Sequence, residues 1–325
     1  MTLRSKTTVA TLIFTLTISI MAQTASAAQP AKPPLKVFIL AGQSNMQGAG
    51  QIKMDPKRNG GKGSLEYLVK DPATAPRFKH LVDTDGKWIV RDDVCIWCFD
   101  RKGGLSVGYG AREDRIGPEL QFGHVMGDCL DNQVLLIKIA WGGKSIAKDF
   151  RPPSSGGELG PFYTQLLQHT KDVLANLKKY FPDYDGRGYE LAGFGWHQGW
   201  NDRVNQAAND EYEKNLANFI RDIRKDLGAE NLPFVIAETG MHGPTETHPR
   251  ALSLMAAQAA VAKYDEFKGN VAFVGTKAFY RPKEESPSGQ GYHWNSNAET
   301  YFLIGDAMGK AMKKLCKIPE RPAGR

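Results

Sequence analysis

Five short apolar runs divide the chain, at 36–40, 134–139, 190–195, 233–237 and 271–276. Each is too short for a core helix and too continuously apolar for a strand with one wet face, so they predict buried parallel strands. Between them the period changes. Phe162, Leu166, Leu167, Thr170, Val173, Leu174 and Leu177 recur at helical spacing, as do Tyr212, Leu216, Phe219, Ile220, Ile223 and Leu227, and later Tyr301, Ile304, Met308, Ala311 and Leu315. Helix starts are marked by Gly117-Pro118-Glu119, Gly160-Pro161 and Thr247-His248-Pro249, because a proline in the first turn gives up an N–H that has no intrahelical acceptor. These predict helices over 120–130, 162–179 and 250–264. Strands alternating with helices predict a three-layer α/β/α domain. The stretch 51–93 is rich in Gly, Pro, Asp and Lys and reads as excursions over one edge of the sheet. Residues 94–99 read as a further strand.

In an open parallel sheet the loops beyond the strand C-terminal ends gather over one crevice. Segments 41–48, 140–146, 196–202, 238–242 and 279–295 are therefore expected to face each other.

The first 27 residues have a different pattern. Arg4 and Lys6 precede an apolar stretch at 9–21, and Ala25-Ser26-Ala27 offers a small-residue cleavage site, which reads as an export signal and a periplasmic or extracellular location. The apolar segment is short and lacks a positive stop, so no stable membrane insertion is expected after cleavage. Residues 28–325 then form one predicted domain, with short tails at both ends. Removing Arg4 and Lys6 leaves 40 basic residues against 35 acidic ones, or +5. The charges alternate in sign, as in Arg221-Asp222-Ile223-Arg224-Lys225-Asp226, so nucleic acid is not an expected partner. Export would expose Cys95, Cys98, Cys129 and Cys316 to oxidation, which permits a disulfide without naming its pair. The oligomeric state is not legible.

Candidate chemistry begins at Ser44, where the first strand ends in Ala41-Gly-Gln-Ser-Asn-Met-Gln-Gly48. A serine at the start of a short helix has backbone N–H groups beside its hydroxyl, which favour negative charge developing there. A helix cap is the ordinary alternative. Serine needs a base, and His293, in Gln290-Gly-Tyr-His-Trp-Asn295 just before the last helix, is the best-placed histidine. No phosphate loop and no compact metal-ligand motif is present, so neither cofactor nor metal is expected.

Four blocks taken together, at 37–48, at Ala140-Trp-Gly-Gly-Lys-Ser-Ile146, at Trp196-His-Gln-Gly-Trp-Asn-Asp202 and at Tyr292-His-Trp-Asn295, resemble SGNH-type carbohydrate esterases. The nearest groups are the sialate O-acetylesterase-like proteins and the acetyl-xylan esterases. The resemblance implies a mostly parallel, flavodoxin-like sheet and hydrolysis of O-acetyl esters on carbohydrates. It implies Ser44 as nucleophile and His293 as general base and then acid. Ser44 N–H, Gly143 N–H and a side-chain amide would form the oxyanion hole, with Gln198 and Asn201 both standing as that amide. The implied partner is an acetylated sialoside, xylan or other glycan. Trp141, Lys144, Trp196, His197, Trp200, Tyr292 and Trp294 are the candidate sugar contacts.

The third triad member departs from the pattern. Position 290, where many relatives carry an acid, is glutamine, and the residue after His197-Gln198-Gly199 is Trp200. Asp202 is the substitute proposed from the family-like loop, with Glu238, Glu284, Glu285, the Gln290 amide or a backbone carbonyl as alternatives. Missing acids also permit a second reading, an exported glycan-binding or scaffold protein with impaired catalysis.

Overall fold

Leu35–Gly42 (β1), Val94–Cys98 (β2), Arg101–Gly104 (β3), Val134–Ala140 (β4), Tyr189–His197 (β5), Phe234–Ala237 (β6) and Val271–Val274 (β7) form a seven-stranded sheet in the order β3-β2-β4-β1-β5-β6-β7. The computed structural model describes residues 32–319, so the expected leader at 1–27 lies outside the described residues. Every neighbouring pair is parallel except the β2–β3 hairpin. All of β4 is buried, and all of β1 except Lys36, as continuous apolar runs require when helices cover both faces.

The main helices are Ser44–Gln47 (α1), Glu119–Cys129 (α2), Pro161–Ala175 (α3), Trp200–Arg203 (α4), Tyr212–Asp226 (α5), Pro249–Val261 (α6) and Ala298–Leu315 (α7). Alternate strand residues point to opposite faces. Val37, Ile39, Ile137, Phe194 and Trp196 therefore pack with α3, α5 and α6, whereas Phe38, Leu40, Leu136 and Val235 pack with α2 and α7. This is the expected α/β sandwich, with all five predicted core strands in place.

Two details differ from expectation. The helix predicted to reach 179 stops at Ala175, because Asn176 leaves helical geometry (φ −121°, ψ 31°) before a separate turn at Leu177–Tyr180. Strand β2 gains an antiparallel edge partner, Arg101-Lys-Gly-Gly104, which carries no apolar signal. Charged and glycine-rich edges of this kind discourage pairing with other chains.

Discounting the hairpin, the parallel order β4-β1-β5-β6-β7 is flavodoxin-like. From β1 the sheet grows in one direction through β4 and in the other through β5, so the crevice opens beyond Gly42, Ala140 and His197. The strands meet tightly there. A Cβ on Gly42 would lie 2.2 Å from the His197 carbonyl oxygen, and its φ of 153° also suits glycine.

Candidate active site

Ser44 is the first residue of α1, half-buried at the mouth of this crevice. Its neighbours fix it in two directions. Gln43 is buried, and its Oε1 accepts the backbone N–H groups of Gly199 at 3.0 Å and Asn201 at 3.4 Å. Asn45, also buried, donates through Nδ2 to the Tyr292 carbonyl at 3.0 Å. The Tyr301 hydroxyl lies 2.7 Å from Asn45 Oδ1 and 3.2 Å from the His293 carbonyl oxygen. The residues before and after Ser44 thus bind the loop of Asn201 and the loop of His293.

The far end of α1 is held by a charge. Lys138, 1% exposed in the middle of β4, donates to the carbonyls of Gln47 and Tyr109 at 2.6 Å each and to Glu119 Oε2 at 2.7 Å. Glu119 Oε1 accepts the Gly117 N–H at 2.8 Å. A cation at a helix C-terminus satisfies carbonyls that have no partner within the helix. Sequence reading passed over Lys138, although a lysine inside an apolar strand is itself a signal, because lysine is almost never fully buried unless paired.

His293 is held differently. Its N–H donates to the Gln290 carbonyl at 2.8 Å, and the next three residues, Trp294, Asn295 and Ser296, all have left-handed backbones (φ 51°, 54° and 56°). Such conformations cost about 1–3 kcal/mol each for non-glycine residues. They are retained by burial of Trp294 and by Asn295, whose Nδ2 bonds the Arg281 carbonyl at 3.0 Å. The His293 ring packs on Tyr292, with centroids 4.5 Å apart, and its nitrogens bond to none of the described residues. Burial alone pushes its pKa below the ordinary histidine value. Gln290 is exposed and gives this loop its carbonyl rather than its side-chain amide.

The expected acid, Asp202, does not reach the histidine. It is fully buried, and its oxygens accept the N–H groups of Ile146 at 2.9 Å and Ala147 at 2.8 Å and the Gln198 amide at 2.6 Å. Burial pushes its pKa up to about 6 against the pull of those three bonds. Asp202 therefore braces the 140–147 loop against the 196–202 loop. Glu238 is likewise occupied, accepting the Thr276 N–H at 2.8 Å and the Lys277 N–H at 3.2 Å.

The same network separates the two candidate amides. Gln198 is completely buried, with Nε2 committed to Asp202 and to the Lys144 carbonyl at 2.9 Å, so it is not aimed into the crevice. Asn201 lies beside Gly143, donating to its carbonyl at 2.5 Å, which leaves a second amide hydrogen. Among the described residues, neither Ser44 N–H nor Gly143 N–H has a hydrogen-bond acceptor. Gly143 has φ 68° and open space where a Cβ would stand, while a Cβ on Gly142 would come within 3.9 Å of Ser44 Cβ.

The aromatic residues also divide. Trp196 and Trp294 are each 0% exposed and His197 is 1% exposed, so these three candidate sugar contacts are core residues instead. Trp196 packs on Phe219 with centroids 4.4 Å apart, and Trp294 joins the cluster of Tyr301 and Met308. His197 has both ring nitrogens buried without a hydrogen bond. Burial lowers its pKa to about 4, and the Glu238 backbone opposes this weakly, without hydrogen-bond geometry. Trp141 is half-buried against Phe162, and Lys144 stands 4.2 Å over the Phe162 ring and 3.5 Å from Asp149. Trp200 and Tyr292, 5.9 Å apart, form the wall next to His293, and Tyr292 is 42% exposed.

Cys95, Cys98 and Cys316 are free thiols, and burial raises the pKa of each, the last to about 11. The described residues hold no group of three His, Cys, Asp or Glu side chains placed for a metal ion, and none of their helices is long and apolar enough to cross a membrane.

A probable carbohydrate esterase of Arabidopsis thaliana is 26% identical over 207 residues, 62% of this chain and 68% of that protein. The X-ray structure of that Arabidopsis protein matches at TM-score 0.56 and 18% identity, over 86% of this chain and 98% of the other. A carbohydrate acetylesterase from Xanthomonas citri matches at 0.52 and 12% identity, over 86% of this chain but 56% of its own. The crystal structure of NanS matches at 0.53 and 14% identity, over 86% and 97%. At these identities the solved structures speak for the fold. The family is shown by sequence: residues 34–314 match the carbohydrate esterases described as sialic acid-specific acetylesterases, and this chain belongs to that family.

Proposed function

We propose that this protein hydrolyses O-acetyl esters on carbohydrates through an acetyl-Ser44 intermediate, with His293 as base and acid and no carboxylate as third member. The observation that carries the reading is the wiring around Ser44: Gln43 is bonded to the Asn201 loop and Asn45 to the His293 loop. Those are the neighbours that a nucleophile, an oxyanion hole and a base require.

Ser44 Oγ attacks the acetyl carbonyl while His293 takes its proton. The N–H groups of Ser44 and Gly143, with the second Asn201 amide hydrogen, receive the developing oxyanion, and one such donor is worth about 2.7–4 kcal/mol. His293 then protonates the departing sugar hydroxyl. Water, deprotonated by the same ring, attacks the acetyl-serine and releases acetate. The lowered His293 pKa keeps the imidazole neutral and ready to accept a proton near pH 7.

The leader-like residues at 1–27 support an exported enzyme whose remaining 298 residues act as one domain. N-terminal sequencing of the secreted product tests this, with Ala28 as the expected first residue. A binding-only reading is favoured by one observation, the absence of any carboxylate on the His293 ring among the described residues. Acetate release from acetylated sialic acid and acetylated xylo-oligosaccharides decides between the two readings. Saturable binding without release by the intact protein, or full release from S44A, overturns the hydrolase.

A further inference from the structure

The loop that carries His293 is closed at its base. Asn297 Nδ2 donates back to the Glu285 carbonyl at 3.1 Å and to Ser286 Oγ at 2.9 Å, and the Ser288 N–H reaches the Asn295 carbonyl at 3.0 Å. Residues 286–297 therefore form an Ω-loop whose two ends meet at a neck, with Ser286 and Asn297 both buried.

A segment distant in sequence holds that neck from outside. Asn59 uses both hydrogens of its amide on it, donating to the Lys283 carbonyl at 2.6 Å and to the Ser286 carbonyl at 2.8 Å. Four residues on, the Gly63 carbonyl accepts the N–H of Ala298, the first residue of α7, at 2.7 Å. Asn59 thus holds the chain entering the Ω-loop, and Gly63 the chain leaving it. The approach is close: a Cβ on Gly63 would lie 2.4 Å from Asn297 Nδ2 and 2.6 Å from the Glu285 carbonyl oxygen, and the φ of 74° there also suits glycine. Asn59 is left-handed as well (φ 50°), a conformation that asparagine tolerates better than most residues.

Folded structure stands behind these contacts. Ile52, Leu65, Leu68, Phe78 and Leu81 of the 51–93 excursion share a small core with Ala298 and Phe302 of α7, and the Phe78 and Phe302 rings are 4.5 Å apart. Arg77 from the excursion and Arg281 from the chain before the Ω-loop each bond one oxygen of Glu299, at 2.8 and 2.7 Å. Within the loop, the left-handed run and the Asn45 bond to Tyr292 shape the tip. Where the loop stands as a whole is decided at its neck.

We propose that Asn59 and Gly63 are positioning residues for the reaction, which set His293 against Ser44 by clamping the neck of its Ω-loop. The inference rests on the Ser44–His293 reading. Neither residue belongs to the crevice, so loss of the clamp should lower kcat and leave KM in place.

The test uses the full mature chain. N59D keeps the size of the side chain but turns its donors into a carboxylate facing two carbonyls, and N59G removes the side chain without straining the backbone. Asn59 is exposed, so neither change disturbs the core. Amide hydrogen exchange reads the clamp itself: peptides covering 286–298 should exchange about tenfold faster or more in both variants. Acetate release from acetylated sialic acid or acetylated xylo-oligosaccharide, whichever the intact protein turns over, should show kcat lowered by about tenfold to a hundredfold at unchanged KM. Labelling of Ser44 by a fluorophosphonate needs the base but no sugar, and it should slow by the same factor. Unchanged exchange in N59D and N59G overturns the clamp. Faster exchange with kcat and labelling intact overturns the positioning role. An intact protein that neither releases acetate nor labels at Ser44 overturns the esterase reading instead, and the exchange result still decides the clamp.

Discussion

The two sides of the crevice are built on opposite principles. On the serine side position comes from buried, engaged side chains: Gln43 and Asn45 bond across to other loops, and Lys138 holds the end of α1 from below. On the histidine side the ring nitrogens have no partner among the described residues, and position comes from backbone, a left-handed run at 294–296 anchored by the buried Trp294. Buried hydrogen bonds fix a group within tenths of an ångström but demand that every partner be present. Strained backbone needs no partner at the ring, so the imidazole stays free to take up and return a proton while its loop remains placed.

The largest expected effect removes the chemistry from either side. S44A and H293A should each lower acetate release on the order of 10⁴-fold or more, and the double variant should be no worse, because the two act as one unit. Additive losses would break the pairing.

Next comes the buried charge. Lys138→Met leaves the buried Glu119 without its cation, so urea denaturation should register a loss of about 3–5 kcal/mol, and adding Glu119→Gln should recover most of it. A K138M cost below about 1 kcal/mol would show that the serine side is not over-determined.

Acid separates the sides in another way. His197 has its pKa lowered to about 4, from 6.5, because burial excludes its charged form. Since the unfolded chain binds this proton more readily, stability is fully present above pH 6.5 and is lost as pH falls towards 4, by about 3 kcal/mol for this group. His124, also lowered to about 4 by burial, adds to the same window. Activity should respond through His293 in the same direction: kcat/KM rises with pH at a midpoint below 6.5, since burial lowers that ring and no carboxylate raises it. A midpoint above 6.5 would reveal an acid bound to the ring.

The smallest effect concerns Asp202. A triad acid would cost about 10⁴-fold on conversion to its amide. Here D202N should lower release by less than about tenfold while destabilising the fold by about 1–3 kcal/mol, as its new N–H₂ opposes the Ile146 or Ala147 N–H. A loss near the larger figure would restore Asp202 to the histidine.

Much of this was legible in the chain. The five core strands stood out because continuous apolar runs have few folds open to them; Ser44 and His293 were candidates as a strand end and a helix start, and Gly143 and Asn201 as what the resemblance implies. What misled was proximity in sequence. Asp202, Gln198, His197, Trp196 and Trp294 lie in the same blocks as Ser44, Asn201 and His293, yet they face inward. In strands and short turns, neighbours point to opposite sides. Lys138 was missed for the converse reason, since it belongs to no block of the resemblance.

The sequence by itself determined the sandwich, the crevice at the ends of its strands, the family, and the serine and histidine worth pairing, because periodicity and local motifs encode which residues begin and end each element. Only the tertiary structure decided which polar side chains are free. Whether an amide, a carboxylate or a guanidinium is available depends on who else bonds to it, and those partners come from loops as far apart as Asn45 and Tyr292.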